Sequence, residues 1–111
     1  MKRGTIEHPK TEHLAELLSI SMAQAVGHLE ALFHFTAKYA MRGNIGSWGN
    51  DRIAKRCLWD GDPDVFVNAL VNSNGGKTYG WLERHSEHRL IVHDWHKHAD
   101  DSVKKTLKNN N

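Results

Sequence analysis

The sequence predicts an α+β fold, a helical bundle carrying a small antiparallel β-hairpin, and three observations between Trp48 and Trp95 predict it. Asn50–Leu58 begins with polar residues and places Ile53, Ala54, Cys57 and Leu58 on one helical face. Asp60-Gly61-Asp62-Pro63 then breaks the chain and opens a second helix, Pro63–Ser73. Asp62 can cap it, and Pro63 suits the first helical position, where its missing N–H costs nothing. Trp81–His85 and His88–Asp94 read as the two arms of a hairpin around Ser86-Glu87, with Leu90, Ile91 and Val92 in the second arm. Helix, turn, helix and hairpin in that order is the winged helix-turn-helix pattern.

The remaining elements read as support for that unit. Residues 1–10 hold Gly4, Pro9 and three basic residues without a period, which predicts a flexible N-terminal arm. A single domain is expected over 11–99, followed by a polar tail, 100–111, that ends in three asparagines and is expected to be partly disordered. Thr11 is a candidate cap for a helix reaching Ser19, with Leu14, Leu17 and Leu18 as its buried stripe. Ser21 with Gln24 three residues on makes a capping box for the longest helix, to about Met41. Along it Met22, Ala25, Val26, Leu29, Leu32, Phe33, Thr36, Ala37 and Ala40 form a wide apolar stripe, and Gly43 stops it. Ile45–Trp48 is a candidate first strand against the hairpin, and Asn74-Gly75-Gly76-Lys77-Thr78 must be a loop.

A chain of 111 residues is long enough for one modest core, and 39% hydrophobic with 25% charged residues is the make-up of an ordinary globular protein. Apolar runs are only a few residues long, so no membrane span or signal peptide is expected. The single cysteine, Cys57, excludes an internal disulfide and fits a reducing cytoplasm. A formal charge of +2 is too small to announce nucleic acid by itself.

Several motifs carry a family likeness across nearly the whole chain. They are Arg3-Gly4 with Glu7-His8-Pro9-Lys10, the helical segment Leu29–Tyr39, Ile53-Ala54 leading to Trp59-Asp60-Gly61-Asp62, Gly80-Trp81-Leu82, and Leu90–Trp95 followed by His98-Ala99-Asp100-Asp101. With them the chain resembles phage and prophage replication-associated proteins, related to replisome organisers and the amino-terminal domains of primosome components. The resemblance implies a winged-helix fold, a role on DNA or in a replication complex, and no catalysis. Against that pattern, Asn74–Tyr79 reads as an insertion.

A winged helix lays its second short helix in the major groove. Here that helix exposes Asp64, Asn68 and Asn72 on one stripe, and asparagine can pair bidentately with adenine. The same helix has no Lys or Arg and carries Asp62 and Asp64 at its start, which phosphates would repel. The cations lie elsewhere: Arg52, Lys55 and Arg56 on the preceding helix, Lys77 before the hairpin, and Arg84 and Arg89 beside its tip. Double-stranded DNA held mainly through its backbone is therefore the expected partner, with Arg52, Lys55, Arg56, Asn68, Asn72, Lys77, Arg84 and Arg89 as the contact set. The alternative is a protein-interaction or oligomerisation module that binds replication or transcription proteins or forms a homodimer. Such charges also occur where they only solvate a surface.

Nine histidines invite a metal, and His93, Asp94, His96 and His98 are the densest group. On a strand His93 and Asp94 point to opposite faces, and zinc needs three or four converging ligands, so no metal and no cofactor are expected. His28 and His34 lie off the apolar stripe of the long helix and should be exposed. Trp81 and Trp95, at opposite ends of the hairpin, should face one core, with Trp59 partly exposed. No nucleophile, HExxH or phosphate loop emerges, so an enzyme is not expected.

Overall fold

The computed structural model describes residues 8–76 and 78–95, and the N-terminal arm before His8 and the tail 100–111 lie outside them. Among the described residues the order is α1 (Pro9–Leu18), α2 (Met22–Tyr39), α3 (Asn50–Arg56), α4 (Pro63–Asn72), β1 (Leu82–His85) and β2 (Arg89–Val92). This is a small α+β protein, four helices with a two-stranded antiparallel hairpin. No helix among the described residues is long and apolar enough to cross a membrane.

Helix α1 begins two residues ahead of Thr11. The ring Nδ1 of His8 accepts from Lys10 N at 3.1 Å, and Pro9 takes the first helical position. Its buried face is Thr11, Leu14, Ala15 and Leu18, the 3–1–3 spacing of a helical stripe, which turns Leu17 outward. The expectation that Leu17 is buried is corrected on that ground. Ser21 and Gln24 form the reciprocal capping box of α2, with bonds of 3.1 and 3.0 Å. That helix buries Ala25, Leu29, Leu32, Phe33 and Thr36, with Phe35 added from the flank.

Helix α3 is shorter than its apolar pattern suggested. Trp59 N–H donates to Ala54 O at 2.9 Å and closes the helix, with Leu58 left-handed at φ +66. That is the position where helices usually place glycine, and it swings the side chain off the face of Ile53, Ala54 and Cys57. Leu58 is 73% exposed rather than buried. Asp62 caps α4 through Asp64 N at 2.9 Å, and Phe66, Val67, Ala69 and Leu70 face inward. His28 is likewise not exposed. Its Nδ1 lies 2.8 Å from Cys57 O, and its ring meets Trp59 and Phe66 edge-on.

The hairpin register pairs Leu82 with Val92 and His85 with Arg89. Leu82, Leu90 and Val92 are buried, and Trp81 N–H joins the hairpin to α4 through Leu70 O at 2.9 Å. Ile45–Trp48 is not a strand. The backbone makes two bonds to β2, Gly46 N–H to Leu90 O at 3.1 Å and Val92 N–H to Gly43 O at 2.8 Å, and then curls away as Trp48 N–H turns back to Ile45 O. The loop at Asn74–Gly76 docks on α1, where Gly75 N–H donates to His13 Nδ1 at 3.2 Å.

Cys57 is fully buried, and loss of water pushes its thiol from an ordinary 9.0 up to about 12. The unfolded thiol therefore loses its proton first as pH rises. The stability this proton contributes is complete below about pH 9 and is lost progressively towards the folded value. Between pH 7.5 and 10.5 wild type should lose about 2 kcal/mol more than Cys57→Ala, read from urea midpoints. Equal losses in both proteins would remove the thiol as the cause.

Candidate nucleic-acid interface

Local sequence places the cations of α3. Ile53 and Ala54 take the buried face, so Arg52, Lys55 and Arg56 are left on the exposed one. Lys55 and Arg56 occupy the last turn, where positive charge also favours the helix dipole. Arg52, Lys55 and Arg56 with Asp51 and Leu58 border a shallow hollow of about 650 Å³. The Arg56 guanidinium lies 5.2 Å from the ring centre of Tyr39, with Lys38 Nζ at 5.4 Å from the same ring.

The other predicted contact residues divide by what holds them. Asn68 and Asn72 are exposed on α4, as the stripe argument expects. Arg84 Nη2 donates to Asn68 Oδ1 at 2.7 Å, so β1 and α4 share one polar unit on the surface. Lys77 lies outside the described residues. Arg89 is a clasp. Its Nε donates to Gly46 O at 3.0 Å, Nη1 to Asn50 Oδ1 at 2.8 Å and Nη2 to Trp48 O at 2.6 Å. Three of its five N–H donors are thus spent inside the protein, which fixes the guanidinium against the 46–50 segment.

Two features missed by the sequence reading shape this face. Asn50 joins the clasp and also donates from Nδ2 to Asp64 Oδ1 at 3.0 Å, tying the starts of α3 and α4 together. Its only sequence signal was its place at a helix start. The second is a groove of about 570 Å³ between α2 and the end of α3, lined by Ala31, Phe35, Tyr39 and Leu58 and edged by Lys38 and Arg56. Tyr39 gave no signal, because it falls outside the apolar stripe.

At the hairpin tip His85 Nδ1 accepts from Glu87 N and His88 N, each at 3.1 Å, so that nitrogen carries a lone pair rather than a proton. Of the dense histidine group, His96 and His98 lie outside the described residues. His93 Nδ1 sits 2.6 Å from Glu83 Oε2 and its Nε2 3.3 Å from Asp94 Oδ2, so both ring nitrogens already face carboxylates. No group of three or more metal-ligating side chains gathers among the described residues. Cys57, buried and with a raised pKa, is the reverse of an activated nucleophile.

No protein-family model matches the chain, and no match emerges among curated proteins or solved structures.

Proposed function

We propose that this chain is a winged-helix module that docks on double-stranded DNA mainly through phosphate contacts, in replication or transcription of phage or prophage type. The observation that carries the reading is the exposed cationic stripe Arg52, Lys55 and Arg56 on α3, whose first residue, Asn50, is tied to the hairpin by Arg89. Backbone-led docking also accommodates α4, whose exposed face offers Asn68 and Asn72 but no cation. In this reading α3 neutralises phosphates, the hairpin brings Arg84 alongside, and Arg89 is a structural tie. The reading assigns no cofactor and no catalysis.

Replacing Arg52, Lys55 and Arg56 together by alanine tests it. Each phosphate contact contributes close to 0.9 to the slope of log affinity against log salt, so the slope should flatten by roughly 2.7 and affinity at 0.1 M salt should fall on the order of 10²-fold. Fluorescence anisotropy with a labelled random duplex, from about 50 to 200 mM salt, reads both quantities. An unchanged slope in a folded triple variant would sink the reading.

A second reading has its own observation. Leu58, 73% exposed, and the neighbouring groove suit a protein partner or a second copy, without DNA contact. Wild-type protein that binds no duplex at 50 mM salt would favour it.

A further inference from the structure

The bond between Asn68 and Arg84 changes what this face can read. Arg84 Nη2 donates to Asn68 Oδ1 at 2.7 Å between β1 and α4, 16 positions apart in sequence. A guanidinium carries donors and no acceptor, so chemistry alone requires the amide atom facing it to be the carbonyl oxygen. A free asparagine reads adenine with both halves of its amide, accepting from N6 and donating to N7. Here one of the two lone pairs of the carbonyl is taken by a cation, whose positive charge lies against the accepting half. The amide keeps its NH2 donors and one lone pair, but the rest of the arginine fork adds more donors and a positive charge beside them, so donors dominate the surface. The edge complementary to such a surface is guanine, whose N7 and O6 are both acceptors. Adenine would set its N6 amino group against donors.

We infer that Asn68 and Arg84 act together as a guanine-reading pair, so that Arg84 switches the preference of Asn68 away from adenine. The inference rests on the duplex-docking reading above. Both side chains are exposed, on α4 and on the hairpin strand that packs against it. It also gives the hairpin two separate arginine roles. Arg89 holds the hairpin to the body, and Arg84, five residues earlier, sets the base.

Selection from a pool of randomised duplexes, followed by sequencing, tests the pair in the full chain. Wild type should enrich guanine over adenine at one position roughly tenfold or more, the range of one good bidentate contact. Arg84→Ala frees the Asn68 carbonyl, and the same position should then move to adenine. Asn68→Ala should keep guanine with weaker enrichment, because the arginine fork remains. Adenine at that position in wild type, or the same base in wild type and Arg84→Ala, overturns the inference. Salt-dependent duplex binding with no base preference overturns it while leaving the docking reading intact. No duplex binding at 50 mM salt overturns both. Thermal melts of the two variants establish that each is folded, since neither side chain is part of the core.

Discussion

Replacing Gly46 by alanine is expected to lower the thermal midpoint by about 10 °C or more and to loosen the hairpin from the helices. The reason lies in how closely two backbones pass. A Cβ on Gly46 would fall inside the envelope of His88 O, 2.5 Å from Leu90 N and 2.9 Å from Arg89 Cβ. The first two are backbone atoms and cannot rotate away. They are also held, because Leu90 N–H donates to His88 O at 2.7 Å across Arg89, whose φ is +65. That bond closes a strained three-residue turn. The strained turn is held by the Arg89 side chain, which is bound to Gly46 O, Trp48 O and Asn50 Oδ1. An added methyl must therefore break the Gly46 N–H to Leu90 O bond and disturb the clasp at once. A loss of about 2–4 kcal/mol follows from overpacking with broken hydrogen bonds, and each kcal/mol is worth roughly 4–8 °C in a domain of this size. Gly27→Ala is the contrast, since its Cβ would meet nothing within 4 Å and glycine weakens a helix interior. It should raise stability by about 0.5–1 kcal/mol. Differential scanning calorimetry on both variants, with amide exchange at Leu90 and Val92, decides the matter. A Gly46→Ala protein that melts with wild type would show that the backbones do not pass this closely in solution.

What could be read from the sequence was what neighbouring residues decide among themselves. The Ser21–Gln24 box and the Asp62–Pro63 start each lie within one helical turn, and both formed as expected. The exposed triplet Arg52, Lys55 and Arg56 followed from the burial of Ile53 and Ala54 on a helix of known period. Errors gathered where a helix ends or a partner is distant. Leu58 fits the apolar stripe of α3 by spacing, yet the helix stops before it and the stop requires a left-handed residue there. Arg84 and Arg89 looked equivalent, two cations near a hairpin tip. One is bound to α4 and the other to the 46–50 segment, across 16 and as many as 43 positions. Such pairings depend on tertiary register, which periodicity does not encode. The same holds for His28, whose place off the stripe signalled exposure until the turn after α3 folded back over it.

Trp81→Ala should cost about 3–5 kcal/mol, the range for emptying a large aromatic site, and that is a large share of the stability of a domain this small. Trp81 is 1% exposed and stands where three parts of the chain converge. Its backbone N–H reaches Leu70 O in α4 at 2.9 Å, and its carbonyl accepts from His93 N at 3.0 Å beyond β2. Its ring meets Phe33 of α2 edge-on at 5.7 Å and His8 before α1 at 5.2 Å. Phe33 in turn lies 6.3 Å from Trp95, so one phenylalanine links the tryptophans at the two ends of the hairpin. The backbone bonds survive substitution but the ring contacts do not, so α1, α2 and the hairpin should loosen together rather than singly. Trp81→Phe keeps an aromatic ring in part of that volume and should lose roughly half as much, providing a folded protein if the alanine variant does not fold. Urea unfolding followed by tryptophan fluorescence and by far-ultraviolet circular dichroism gives the test. Coincident transitions with a lowered midpoint are expected. A loss below about 1 kcal/mol in the alanine variant would mean that Leu82, Leu90 and Val92 hold the hairpin without it.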